Sequence, residues 1–308
     1  MNSISVNYSR HKYNWIGFYT MLLFLVASNV FSQSATNTED QEIIPDHKLV
    51  YKTIDAVALK LHVFNPLGHK SSDKTPVIIF FFGGGWVFGN PKLFYEHARY
   101  FAEKGIVAIA AEYRIKSIHK TTPFECVNDG KSAVRWVRLH ATELGIDPNK
   151  IVASGGSAGG HVAACTSIID GYNETNENGA ISSKPNALIL YYPVLDTTDK
   201  GYGAKNFEKE HQTDISPNHN IKKGILPTIV FHGTADKTVP IENSERFCKL
   251  MNDAGNYCEL ETYKEKGHGF FRGSFYNTKK ADTIVFKEIL EKSYSFLVSQ
   301  SIITNNKK

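Results

Sequence analysis

VASGGSAGGH, residues 152–161, sets a serine among small residues between an apolar run and a helix-forming stretch. Its inner five residues, Gly155-Gly156-Ser157-Ala158-Gly159, match the pattern G-x-S-x-G. So short a pattern recurs by chance, and its weight comes from context. Lys150–Ala153 reads as a strand, and the residues after the glycines read as a helix to about Ile169. A strand that turns at once into a helix holds the side chain at the turn clear of the sheet, and only small neighbours fit beside it. The competing reading is a plain glycine-rich turn. In this context Ser157 is the expected nucleophile.

Outward from that turn, short apolar runs alternate with longer helical patterns, as in a parallel sheet covered by helices. Lys48 to Phe64 reads as two opening strands. Val77 to Phe82 is continuously apolar, as a strand buried on both faces must be. Leu93–Lys104 is a predicted helix stopped by Gly105, and Ile106–Tyr113 the next strand. Pro123–Leu144 follows as an amphipathic helix, with Val127, Ala133, Val134 and Val137 on its apolar side and Gly145 as terminator. Further strands are predicted at Ala187–Tyr192, Thr228–His232 and Leu260–Tyr263, and further helices at Glu242–Ala254 and Thr283–Val298. The 308 residues suffice for one large α/β domain or two small ones. No repeat or internal linker divides them, so one α/β domain is expected over 47–300, with a tail at 301–308.

The first 32 residues differ from the rest. Arg10 and Lys12 precede an apolar stretch from about Trp15 to Val30, and Ser32 supplies a small residue before Gln33. That is the layout of a secretory signal peptide, and the stretch falls short of the ~20 residues of a comfortable membrane span. Residues 33–46 are polar and read as a flexible leader. The expected mature protein is secreted or periplasmic, without stable membrane insertion. The formal charge of +4 is dispersed, with no basic patch interleaved with aromatics, which excludes nucleic acid as a partner.

Four cysteines fit an oxidising compartment without requiring one. No spacing resembles a zinc site, and neither a metal nor an organic cofactor is expected. If a bridge forms, Cys248–Cys258 is the pair; buried free thiols are the expectation for a domain of this size.

A serine hydroxyl needs a histidine to take its proton, and the imidazolium needs a carboxylate to orient it. After such a turn the partners follow in the order acid, then histidine. VFHGTADKTVP (230–240) places Asp236 just past one strand, and YKEKGHGFF (263–271) places His268 just past the last, between two glycines. Asp236 could instead be a turn residue, and Asp196 and Asp199 are rival acids. His232, His161 and His97 sit inside or beside regular elements and read as structural.

FFFGGGW (80–86) ends a buried strand in three glycines, so main-chain N–H groups there can approach an anion. A phosphate loop is excluded, because neither Gly84 to Gly89 nor Gly155 to Gly160 is followed by Lys-Ser/Thr. A dinucleotide fingerprint fails because Phe88 stands at its sixth position. The remaining use is to receive the oxygen of a reacting carbonyl, with Ala158 N–H as the partner donor.

In combination these motifs resemble the α/β-hydrolase superfamily, of the hormone-sensitive-lipase-like and acetyl-esterase type. FGGGW (82–86), EYR (112–114), GGSAGGH (155–161), HGTADKTVP (232–240) and KGHGFF (266–271) carry the resemblance, which covers most of 48–298. It implies a mostly parallel eight-stranded sheet with helices on both faces and little or no lid. It implies catalytic Ser157, Asp236 and His268, with Gly84, Gly85 and Ala158, and optionally Gly83, as oxyanion donors. Phe82 stands where such proteins usually carry histidine, which puts the loop's hydrogen bonding in question. The variant resembles secreted bacterial esterases of plant or algal polysaccharide breakdown.

The resemblance implies hydrolysis of short-acyl esters through an acyl-enzyme. The one sizeable insertion, the connection between Val194 and Ile225, is hydrophilic (DTTDKGYGAKNFEKEHQTD, 196–214), and an open polar site suits an acylated sugar, as small molecule or polysaccharide, better than a triglyceride. Trp86, Phe88, Tyr202 and Phe207 are the expected aromatic rim. Two alternatives stay open on the same triad: a serine peptidase, or a general short-chain lipase or esterase that does not act on glycans. A non-catalytic binding module is disfavoured because all three triad residues are present.

Overall fold

The computed structural model describes residues 42–271 and 282–304. The expected signal segment, most of the leader and the end of the tail lie outside the described residues. From Ile43 onward the chain is one unit.

His47–Ile54 (β1) and Val57–Phe64 (β2) form an antiparallel hairpin, with Asp55 in the left-handed region at its turn (φ 51°). There follow β3 (Thr75–Phe81), a 3-10 turn (Pro91–Phe94), α1 (Tyr95–Glu103), β4 (Val107–Ala111) and the single turn α2 (Lys116–His119). Beyond these come α3 (Pro123–Leu139), β5 (Ile146–Gly156), α4 (Ala158–Ile168), β6 (Ala187–Tyr191), β7 (Thr228–Gly233), α5 (Glu242–Asp253), β8 (Cys258–Tyr263) and α6 (Thr283–Ser299). The eight-stranded sheet runs β1-β2-β4-β3-β5-β6-β7-β8, antiparallel only where β1, β2 and β4 meet. β4 and β6 are buried at every residue, which is why their sequences are continuous apolar runs. α3 packs on α4 and α1 on α6, giving the sheet a helical layer on each face.

Helix α3 starts where its capping box places it. Thr122 accepts from the Phe124 amide, the Glu125 carboxylate accepts from Thr122 N–H (2.7 Å), and Pro123 occupies the first turn. It ends at Leu139 rather than Leu144, because the His140 ring stacks on Trp136 and its Nδ1 bonds the Trp136 carbonyl. The chain then turns, and Gly145 takes φ +63° at the end of those turns rather than at the helix terminus.

The expectation of free thiols holds for Cys126 and Cys165 and fails for the other pair. Cys248 on α5 and Cys258 on β8 are disulfide-bonded, because the turn between them brings their Cα atoms to 5.0 Å. Among the described residues no helix is long and apolar enough to cross a membrane.

Parallel strands end on the same side of a sheet, so the segments after β3, β5, β7 and β8 converge there. The glycine triplet, Ser157, Asp236 and His268 all lie on those segments.

Candidate active site

Ser157 sits between β5 and α4 with φ 56° and ψ −122°, a conformation that costs a side-chain-bearing residue on the order of 1–3 kcal/mol. Its surroundings over-determine it. Ser157 N–H donates to the Tyr191 carbonyl (3.0 Å), and the Ser157 carbonyl accepts from His161 (3.0 Å) and Val194 (3.1 Å). The end of β6 thus clamps the turn. Gly159 explains the demand for small residues: a Cβ there would lie 2.0 Å from the Phe81 carbonyl oxygen.

The clamped hydroxyl donates to His268 Nε2 (3.0 Å), and His268 Nδ1–H donates to Asp236 Oδ2 (2.7 Å). Nδ1 must carry the proton, since a carboxylate only accepts, and Nε2 is left free to take the serine's proton. The other oxygen, Asp236 Oδ1, accepts from Thr238 N–H (2.8 Å) and Val239 N–H (3.0 Å). Burial pushes the Asp236 carboxyl up, but hydrogen bonds from His232, His268 and Val239 outweigh it and hold the group well below the usual carboxylate range. Tyr192, held at φ 33°, packs its ring on His268 with centroids 4.3 Å apart.

The rival acids lie elsewhere. Asp196 is buried but caps Thr198 (2.9 Å) and pairs with Arg246 (3.0 Å), and Asp199 is exposed. His97 and His161 are fully buried away from the triad's hydrogen bonds. His232 is not merely structural. Its Nε2 lies 2.9 Å from the Val239 carbonyl and 3.3 Å from Asp236 Oδ2, while Nδ1 faces the Ser244 hydroxyl (2.7 Å). Nε2 therefore carries the proton, and His232 braces the acid. The signal was the spacing of His232 and Asp236 in HGTAD, which places both at one strand end.

The triplet lies beside the nucleophile: a Cβ on Gly83 would be 3.4 Å from Ser157 Cβ. Gly84 and Gly85 have φ +134° and +61°, and a Cβ on Gly84 would collide with the Phe88 carbonyl at 1.9 Å. Among the described residues the amides of Gly84, Gly85 and Ala158 donate to no main-chain carbonyl outside regular elements. Phe82 stacks on Tyr113 (centroids 4.2 Å, 18°), and the Tyr113 hydroxyl donates to the Phe82 carbonyl (2.6 Å). An aromatic stack thus fixes the loop where a histidine was expected.

Of the expected rim, Phe88 is 62% exposed and Tyr202 is half-buried, with its hydroxyl over Gly85. Trp86 and Phe207 are buried instead, so for them the rim expectation is corrected. Trp86 fills the space between His161, Tyr202 and Phe207, and Phe207 packs edge-on to Phe124. Among the described residues no group of three or more His, Cys, Asp or Glu could hold a metal ion. A cavity of about 880 Å³ around Asp46, Arg99 and Glu103 lies at the opposite end of the sheet and includes no triad residue.

A strained serine, a neutral histidine and a buried ionised carboxylate can generate an alkoxide for attack on an acyl carbonyl. Comparison with known proteins agrees with that chemistry. The chain is similar to esterase 2 of Thermogutta terrifontis phosphorylated by paraoxon, with 44% identity over 84% of this chain and 96% of that one (TM-score 0.77). The propionate-bound form gives 42% identity over 87% and 98%, at a TM-score of 0.79. Among curated proteins it is 27% identical to a probable isoprenylcysteine alpha-carbonyl methylesterase of Arabidopsis thaliana, over 66% of this chain and 47% of that protein. It is 28% identical to an acetylxylan esterase of Xylanibacter ruminicola, over 63% and 41%. The chain spans about half the length of the curated relatives it matches. Residues 61–251 match the BD-FAE family model, and with these esterases as relatives the chain belongs to the BD-FAE family of α/β hydrolases.

Proposed function

We propose that this protein is a serine carboxylesterase that removes short acyl groups, acetyl above all, from carbohydrate. The observation that carries the reading is the relay from Ser157 through His268 to Asp236, at 3.0 and 2.7 Å, on a strained turn beside the glycine triplet. Ser157 attacks the ester carbonyl as His268 takes its proton; the oxyanion is received by the amides of Gly84, Gly85 and Ala158. Each such donor is worth roughly 3–4 kcal/mol of transition-state stabilisation. His268 then protonates the departing alcohol, and water releases the acid by the same steps in reverse. The acetylxylan esterase relative and the propionate-bound neighbour support a short acyl group, and the former supports a glycan alcohol.

The same reading takes residues 1–32 as an export signal. The Cys248–Cys258 disulfide supports an oxidising compartment.

The test is acyl-chain selectivity on 4-nitrophenyl esters from acetate to laurate, paired with acetate release from acetylated xylan. Acetate should be preferred and xylan deacetylated, and Ser157→Ala should lower kcat by about five to six orders of magnitude. Preference for laurate, with no acetate released from any glycan, would overturn the substrate assignment.

A further inference from the structure

A second cavity, about 220 Å³, lies beyond the glycine loop on the β2 and β4 side. Phe82, Gly89, Asn90, Ile115, Ile118 and His119 are among its walls, so part of it is built from the very loop that carries the oxyanion amides. Its volume is below that of drug-sized ligand sites and suits a single ring. Ile118, 70% exposed, stands at its mouth. Phe88, also exposed, lies against the glycines, its ring carbon Cδ2 within 3.2 Å of where a Gly84 Cβ would be, and it directly precedes Gly89, a wall of the cavity. A bare aromatic face therefore lies beside the oxyanion loop, one residue from the cavity wall.

The free polar groups there are of one kind. Asn90 spends its side-chain oxygen on the Lys92 amide (2.9 Å), and its NH₂ has no intramolecular partner among the described residues. His119 Nδ1 accepts from Ile115 N–H (2.9 Å), so Nε2 carries the proton and also lacks a partner among them. The one carboxylate, Glu112, has both oxygens engaged, by His62 (3.1 Å) and by Lys60 N–H (2.9 Å). No lysine or arginine lines the cavity. The site thus offers N–H donors and apolar walls to a neutral, oxygen-rich ring and no cation to an acidic one.

Distance decides which ring. Ser157 follows β5, and the cavity is walled by the segment after β3, the end of β4 and the start of β2, one to three strand spacings away, which puts its middle about 10 Å off. The sugar under attack cannot span that, but a linked unit can. We propose that this cavity is an alcohol-side subsite for a neutral sugar unit of an oligosaccharide ester, with Phe88 as the stacking face between it and the acylated unit. The proposal rests on the carbohydrate-esterase reading above and adds chain-length specificity to it.

The test compares wild type, Ile118→Trp, which fills the mouth, and Ile118→Ala, which widens it. Folding of each is confirmed by thermal melting. The readout is kcat/KM for acetylated xylotetraose divided by kcat/KM for 4-nitrophenyl acetate. Ile118→Trp should lower the ratio tenfold or more, mainly through KM, while Ile118→Ala stays within about threefold. In parallel, unacetylated xylotetraose should bind Ser157→Ala by calorimetry and bind the Ser157→Ala/Ile118→Trp double variant at least tenfold more weakly. Equal ratios and equal binding would overturn the subsite. Wild type that cleaves 4-nitrophenyl acetate but no acetylated saccharide would overturn the carbohydrate reading, and the subsite with it.

Discussion

Tyr113 holds Phe82 twice, by a ring stack at 4.2 Å and by a 2.6 Å hydrogen bond from its hydroxyl to the Phe82 carbonyl. Both residues are buried and 31 positions apart. The loop that begins at Gly83 is therefore anchored one residue upstream of its first glycine, from the residue that follows Glu112 after β4.

Removing only the hydroxyl separates these two holds. Tyr113→Phe keeps the stack and leaves the Phe82 carbonyl buried without its donor, at a cost of about 1–3 kcal/mol. Thermal melting should show the loss. Because the loop carries Gly84 and Gly85, kcat for 4-nitrophenyl acetate should fall about tenfold while KM changes little. Unchanged kcat would mean that the stack alone positions the amides.

His232 acts through Asp236. His232→Ala removes a hydrogen bond that helps hold the carboxylate ionised, and hydrogen bonds to charged groups contribute about 1.5–3 kcal/mol. Steady-state kinetics should show kcat reduced at least about tenfold, with near-wild-type circular dichroism. Activity equal to wild type would reduce His232 to a packing residue.

The pH–rate profile should have a single-proton acid limb. Asp236 is held far below the usual range, so it stays ionised throughout and adds no limb of its own to the profile. A plot of log kcat/KM against pH should therefore rise with unit slope and then level off. A slope of two would contradict this.

Two buried histidines should weaken the fold in acid. His97 is caged by Phe80, Phe94, Phe271 and Phe286, and burial pushes its pKa down to about 3. Burial likewise lowers His161 to about 4, against a carbonyl bond from Ile215 that raises it. In the unfolded chain both titrate near 6.5, so the stability they contribute is complete above ~6.5 and is lost as pH falls toward the folded values. Each should cost about 2 kcal/mol at pH 5 relative to pH 8. His97→Phe should flatten the dependence, measured by urea unfolding at both pH values, by about half of the total.

The disulfide should matter for stability and little for chemistry. Replacing Cys248 and Cys258 by serine frees a loop of 10 residues' separation, worth about 3 kcal/mol by chain entropy. Urea unfolding of the variant and of the reduced wild type should agree on that loss. Activity on 4-nitrophenyl acetate at 25 °C should be retained.

The sequence by itself determined the sheet, the turn and the order of chemistry. Buried parallel strands must be continuously apolar, as Val107–Ala111 is, and a strained turn tolerates only small residues around Ser157. These are local constraints, and local pattern records them. The helix limit at His140 escaped because a side chain there bonds the backbone it would have extended. The sequence motifs favoured Asp236 over Asp196, though both follow strands, and the fold shows why: Asp196 faces Arg246 while Asp236 faces His268. Tertiary structure alone buried Trp86 and Phe207, decided that the Cys248–Cys258 bridge forms, and set Tyr113 under Phe82. Each of those depends on which distant residues share a space, and the chain acquires that information only by folding.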